Sequence, residues 1–317
     1  MSSAFPSLEN LRAGGKRLLA RVLTRLETRA SDPETAAFLD QLCNCRHGRV
    51  LGLTGPPGVG KSSLTDALIK TYRENGKRVA VLAIDPSSAV SGGALLGDRT
   101  RLKTDPLDDD VFVRSMAARD RLGGLSDHAV AAITVLRAVC DQVIVETVGI
   151  GQSEGDLKQA VDTVVLCVQP GSGDSLQFMK AGIMELPDIV AVTKADMGAL
   201  ARRAASDVVG ALSLSSGGQS WQVPVSSVSS QTGEGIADLV EQAGKHGAYL
   251  QTAGLVEPMR RNQHVAWFED MVRTAYGQTG LELAGNDKVT RWQDRAQDRP
   301  FGSYAEFSEN MNRLLRA

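Results

Sequence analysis

Hydrophobic positions change their period near residue 48. From 8 to 43 they recur at helical spacing: Leu11, Leu18, Leu19, Val22, Leu23 and Leu26, then Ala36, Phe38, Leu39 and Leu42. Ser31 with Glu34 has the form of a capping box opening the second of these helices. Strand-like apolar runs follow at 49–54, 78–84, 110–114, 142–147, 163–168, 188–193 and 221–228. Helical stretches at 61–75, 125–139, 174–186, 197–213 and 233–248 separate most of them. The alternation predicts an α/β fold, a mostly parallel sheet flanked by helices with right-handed crossovers. Beyond about residue 252 it stops, and two helices are expected at 264–276 and 307–315. The chain therefore divides into an N-terminal helical extension (1–45), a nucleotide-binding core (46–250) and a C-terminal helical extension (251–317). Trp267, Phe268 and Trp292 of the last part read as exposed, able to pack on the core or on a second copy.

Composition narrows the partners. Of 317 residues, 42% are hydrophobic and 23% charged, and the formal net charge is −2. That balance gives no bulk attraction to nucleic acid or an anionic membrane surface. No apolar run is long enough to span a bilayer, and the N-terminal stretch lacks a signal peptide's apolar core. A cytoplasmic, reducing home is expected. Cys43 and Cys45 have one residue between them, too few for a structural zinc pair, and Cys140 and Cys167 fall in predicted core positions.

The chemistry starts at LGLTGPPGVGKSSL, residues 51–64. Gly55, four residues, then Gly60, Lys61 and Ser62 form a phosphate-binding loop, set between a predicted strand and a predicted helix as that motif requires. Its glycines let backbone N–H groups converge on phosphates, Lys61 reaches the terminal ones, and Ser62 is a ligand for Mg²⁺. Gly58, Val59 and Ser63 belong to the same nucleotide-binding set. Asp85 ends the run VAVLAIDPSS, where parallel sheets meet their ligands, and is a second metal-side candidate. Asp98, in the glycine-rich SGGALLGDRTR, is a third. Glu146 ends another strand, with Gly149 three residues on, in the place of the second acidic motif of phosphate-loop enzymes. Ile150 follows Gly149 where small GTPases carry a water-positioning Gln, and Gln152 is at the wrong offset. Slow intrinsic hydrolysis, completed by a group from elsewhere, is expected.

Base choice is written in IVAVTKAD, residues 189–196. Asp196 accepts from guanine N1 and N2, and the Lys194 stem covers the ring. Adenine has no donor there, so the carboxylate would be left unpaired. Thr193 stands where such sites usually have Asn. Ser229 and Ser230 sit where a second base-contacting loop would offer backbone N–H groups. The segment QPGSGDSLQFMKAGIME, 169–185, has the composition of a switch, with Asp174, Gln177 and Lys180 able to face the nucleotide or a partner.

Together these segments resemble the MeaB/ArgK GTPases associated with methylmalonyl-CoA mutase. The likeness runs over roughly residues 8 to 240. It is carried by ENLRAGGKRLLARVLTRLET, GPPGVGKSS, DPSS, SGGALLGDRTR, FVRSMAARDRLGGL, VETVGIGQSE and PGSGDSLQFMKAGIMELPD. The tail past about 250 matches less well. The resemblance implies a dimeric, Mg²⁺-dependent GTPase, cycling between GTP and GDP. It implies docking on an adenosylcobalamin-dependent acyl-CoA mutase as a chaperone that gates cofactor loading and protects or reactivates the mutase. Lys180 and Gln177 fall on the family's third switch, and the C-terminal extension on its dimer region. The same class includes metal-delivery GTPases for metalloenzyme maturation. Those usually carry His or Cys clusters, whereas this chain has four scattered His.

Overall fold

In the computed structural model the described residues are 5–28, 32–45, 47–86, 102, 104–118, 125–147, 153–171, 185–215, 220–285 and 291–316. Helices α1 (Leu8–Ala13), α2 (Gly15–Thr28) and α3 (Pro33–Cys43) precede β1 (Arg49–Thr54), α4 (Lys61–Glu74), β2 (Val79–Pro86) and β3 (Val111–Ala118). Next come α5 (Asp127–Val139), β4 (Gln142–Glu146), α6 (Ser153–Lys158), β5 (Thr163–Val168), β6 (Ile189–Val192), α7 (Ala199–Ser215) and β7 (Val225–Ser227). Helices α8 (Ile236–Thr252), α9 (Val256–Gly285), α10 (Arg291–Asp298) and α11 (Pro300–Arg316) complete the order. They form two compact units, one of Arg49–Ala129 with Cys140–Leu250, the other of Met1–Gly48, Val130–Val139 and Gln251–Ala317.

The first is the sheet unit. Seven strands lie in the order β3-β2-β4-β1-β5-β6-β7, and every pairing is parallel. Parallel strands must be covered on both faces, which is why β4, β5 and β6 are buried along their whole length. Residue parity decides which cover each side chain meets. Leu51, Leu53, Val165 and Cys167 share a core with Leu64 and Leu68 of α4 and Leu239 of α8. Leu166, Val168, Val190 and Val192 pack with Val208 of α7. On β1, a Cβ at Gly52 would lie 2.8 Å from Leu157 Cγ, so the glycine lets α6 approach the strand. Burial pushes the thiol of Cys167 up to about 12, leaving it a small core residue without thiolate character.

The second unit is helical. Asp32, not Ser31, caps α3: its side chain accepts from the Glu34 N–H at 3.2 Å with Pro33 at the first helical position, and Ser31 lies outside the described residues. The expected exposure of the C-terminal aromatics does not hold. Phe268 is fully buried, edge-on to Phe307 at 6.0 Å, and Trp292 meets the same ring at 5.8 Å. Trp267 tilts against Phe301 at 4.4 Å. These rings close on one another as a small core of α9, α10 and α11. Helix α9 is longer than the expected 264–276 and bends at Gly277, whose φ of 64° breaks the helical path. In the sheet unit, the expected strand at 221–228 shrinks to 225–227, and the Trp221 indole donates to the Asp188 carbonyl at 2.8 Å. The expected helix at 174–186 falls mostly outside the described residues.

Candidate active site

Strands β2, β4 and β1 are neighbours that share a rung at the end of β4, where Leu53 of β1 and Ala83 of β2 both lie opposite Glu146, and β2 runs on to Pro86. The interior of the sheet is apolar, yet this edge buries Thr54, Lys61, Thr65, Asp85, Glu146 and Thr193. Buried polar groups require partners, and the partners define the site.

The loop from β1 to α4 turns on Gly55, Gly58 and Gly60, with φ of 135°, 76° and 98°. A Cβ at Gly55 would stand 2.2 Å from the carbonyl oxygen of Cys167, so only glycine lets the loop lie against the end of β5. Gly60 is the N-cap of α4 and supplies no side-chain cap, leaving the first-turn N–H groups for an anion. Lys61 is 7% exposed, and its ammonium donates to the carbonyls of Gly55 at 2.6 Å and Pro56 at 3.1 Å. Val59 is buried in the core beneath the loop, while Ser63 is exposed.

Ser62 and Thr65 are three residues apart on α4, hence on one face. Both reach Glu146. The Ser62 hydroxyl donates to Oε1 at 2.6 Å and the Thr65 hydroxyl to Oε2 at 2.9 Å. Asp85 is 4% exposed at the end of β2, two residues past the rung that faces Glu146. Thr147 continues the ladder, its N–H donating to the Leu53 carbonyl at 3.1 Å.

The second half of the edge lies past β6. The Thr193 hydroxyl stands 2.7 Å from the Val59 carbonyl and 3.0 Å from that of Val168, joining this turn to the phosphate-binding loop. Lys194 has a left-handed backbone, φ 56° and ψ 44°, unusual for a side-chain-bearing residue. Its ammonium donates to Gln169 Oε1 at 2.5 Å and to the Gly58 carbonyl at 3.3 Å, so it spans from β6 back to the loop. Asp196 Oδ1 accepts from the Ser229 hydroxyl at 2.6 Å. The Ser229 N–H donates to the Glu234 carbonyl at 2.9 Å, and it is the hydroxyl of this residue that reaches Asp196. Ser230 is half-buried in the same turn.

The structure thus brings Lys61, Ser62, Asp85 and Glu146 to one end of the sheet, and joins Thr193 and Lys194 to the loop. Asp98, Gly149, Gln152, Asp174, Gln177 and Lys180 lie outside the described residues. Thr65 and Gln169 touch the site and were not anticipated. Thr65 was visible as a hydroxyl one helical turn after Ser62, on a face that is otherwise apolar. Gln169 opens the switch-like segment 169–185, but its pairing with Lys194 had no sequence signal. Among the described residues no three His, Cys, Asp or Glu side chains cluster as a metal site.

Comparison with known proteins bears on the same residues. A family model described as methylmalonyl Co-A mutase-associated GTPase MeaB matches residues 19–281. The match runs past residue 250 and takes in all but the last four residues of α9, against the expectation of a poorly matching tail, and stops before α10 and α11. A putative GTPase of Pyrococcus horikoshii is 40% identical over 276 residues, 84% of each chain. The mitochondrial methylmalonic aciduria type A homolog of Mus musculus is 36% identical over 227 residues, 70% of this chain and 55% of its own. A crystal structure of a LAO/AO transport system kinase superposes with a TM-score of 0.69 at 25% identity, covering 96% of both chains.

Proposed function

The chain belongs to the MeaB family of GTPases, and from that premise we propose that it is a GTP-hydrolysing chaperone of an adenosylcobalamin-dependent acyl-CoA mutase, methylmalonyl-CoA mutase or a close relative. Its GTPase identity is shared with its relatives. The family match over residues 19–281 carries the mutase half of this reading. Its role would be to gate cofactor loading and to protect or reactivate the mutase.

At the nucleotide, the loop glycines and the first turn of α4 would cradle the β- and γ-phosphates. Lys61, already held across the loop by two carbonyls, would turn its charge onto the terminal phosphate oxygens. The donor set at the sheet edge is all oxygen, a serine hydroxyl and a carboxylate 2.6 Å apart, which fits a hard divalent cation. Ser62, Asp85, Asp98 and Glu146 would hold Mg²⁺, which when bound neutralises charge on the β- and γ-oxygens. Glu146 would also orient the attacking water, and the Gly149 N–H would meet the γ-phosphate. Asp196, aimed by Ser229, would select guanine, with Lys194 along the ring and Ser230 in the adjoining turn. Lys180 and Gln177 would complete hydrolysis when the partner engages their segment. The C-terminal extension would form a two-fold dimer. Leu314 and Leu315 at the end of α11 are 66% and 72% exposed, which suits an apolar contact.

The experiment is a pull-down of candidate cobalamin-dependent mutases with the chain loaded with GDP or a non-hydrolysable GTP analogue. Retention of one mutase with a preference for one nucleotide state is expected. Failure to retain any of them in either state would remove the mutase half and leave the GTPase standing.

A further inference from the structure

The Thr65 hydroxyl lies outside the phosphate-binding loop, yet it is fully buried beside the site. Its oxygen stands 2.9 Å from Glu146 Oε2 and 3.1 Å from the Lys61 carbonyl. A threonine inside a helix commonly returns its single proton to the carbonyl four residues back. Here the same proton has a charged acceptor within reach, and hydrogen bonds to an ionised group are the stronger kind. The carboxylate therefore takes it.

A lone hydroxyl on Oε1 leaves a carboxylate free to rotate about its last bond. Two hydroxyls, one on each oxygen and both fixed to a rigid helix, remove that rotation. Ser62 and Thr65 achieve this because a three-residue spacing stacks them on the face of α4 that meets the end of β4. The residue must also be long enough to span them. Glutamate, one methylene longer than the aspartate common at this position, supplies the reach.

We propose that Thr65 is a positioning residue for Glu146, clamping its second oxygen so that the first stays with Ser62 at the metal–nucleotide site. The proposal rests on the reading of Glu146 as the metal-side carboxylate. Thr65 itself touches neither nucleotide nor metal.

The test uses the full chain with Thr65→Val, Thr65→Ser, Glu146→Asp and Glu146→Gln. Two quantities are measured: the Mg²⁺ concentration that half-saturates GTP turnover, and the Mg²⁺ dependence of fluorescent GDP release, which needs no turnover. Thr65→Val should raise the Mg²⁺ requirement in both by about ten-fold, the scale seen when a partner behind a metal ligand is lost. GDP affinity in the presence of a chelator should stay as in wild type, and Thr65→Ser should restore the wild-type Mg²⁺ dependence. Glu146→Asp, too short to span both hydroxyls, should reproduce the valine phenotype in a chain that keeps Thr65. An unchanged Mg²⁺ requirement in Thr65→Val overturns the proposal. So does an equal loss of GDP affinity with chelator present, which would mark a merely structural threonine. If Thr65→Val does not fold, Glu146→Asp decides alone, and wild-type Mg²⁺ dependence there overturns the clamp. Glu146→Gln separates the two layers. Wild-type behaviour in that variant would sink the reading of Glu146 itself, whereas a Glu146→Gln defect beside a silent Thr65→Val sinks only the clamp.

Discussion

Two buried carboxylates, one in each unit, use their oxygens differently. Asp40 of α3 accepts backbone N–H groups from Phe301 and Gly302, both at 3.0 Å, at the first turn of α11, with Arg299 Nε 3.7 Å away. Glu146 accepts two side-chain hydroxyls, from Ser62 and Thr65. Backbone donors at a helix N-terminus are fixed in place and have no other task, so Asp40 staples the N-terminal helices to the C-terminal ones. A hydroxyl rotates and carries lone pairs as well as a proton, so that of Ser62 can be redirected toward a ligand while Thr65 keeps hold of the second oxygen. Burial and hydrogen bonding alone would rank the two carboxylates as equals. The chemistry of their donors separates a staple from a working part.

The sharpest way to break this contrast is to disable each side and ask what fails. Lys61→Ala should lower GTP turnover by about 1,000-fold, the scale of losing one charge-stabilising donor, while the thermal midpoint moves little. Near-normal turnover measured by phosphate release would end the phosphate-site assignment. Next in size, Asp196→Asn should erase guanine-over-adenine preference by about 100-fold, as expected when a site built for specific donors loses its acceptor. Calorimetric titration with GDP and ADP reads this out, and an unchanged ratio would place base choice elsewhere.

Asp40 sharpens the other side. Burial pushes its carboxyl up to about 6, against the opposing pull of the Gly302 and Phe301 N–H groups and the Arg299 charge. An acid whose folded pKa lies above its unfolded value of 3.8 keeps its proton longer in the native state. Its stabilising share is therefore full below about pH 4 and is lost as pH rises through about 6. Asp40→Asn removes that titration and turns an amide donor toward a backbone N–H. The variant should be destabilised at both pH values, and more at pH 4.5 than at pH 7.5 by about 2 kcal/mol, as followed by denaturant melts. GTP turnover of the folded variant should be normal. A pH-independent difference would contradict the buried-staple account. The smallest effect belongs to Thr193. Its hydroxyl already ties the base turn to the Val59 carbonyl, so Thr193→Val should weaken GDP binding about five-fold, the worth of one buried hydrogen bond. Unaltered binding would mean the turn is held by Lys194 alone.

What the sequence disclosed follows the same division. In the sheet unit, strands are short apolar runs between helical periods, and five of the seven start within one residue of their expected position and end within two. They are β1 at 49–54, β2 at 79–86, β4 at 142–146, β5 at 163–168 and β6 at 189–192. The phosphate-binding loop is legible because its glycine conformations and its lysine must recur at fixed spacing. Contacts fixed only by tertiary structure were not legible. The bond from Ser229 to Asp196 joins two turns 33 residues apart, and that from Thr65 to Glu146 spans 81. In the helical unit periodicity gave helices but not their lengths or partners. The apolar spacing of α9 says nothing of the bend at Gly277, and Phe268 reads as an ordinary surface aromatic until Phe307 and Trp292 arrive from later in the chain. The Ser31 cap was displaced by Asp32, whose side chain sits directly before Pro33.

In the proposed function, nucleotide hydrolysis is coupled to a cobalamin-dependent mutase. The most direct test of this coupling is steady-state GTP turnover with and without the cognate mutase, in wild type and in a Lys180→Ala, Gln177→Ala double variant. Slow turnover alone and a rise of about ten-fold or more with the mutase are expected, within the usual range of coupling between sites. The double variant should keep the slow basal rate and lose the rise. Equal turnover with and without the mutase, at concentrations where the two proteins demonstrably bind, would contradict the coupling.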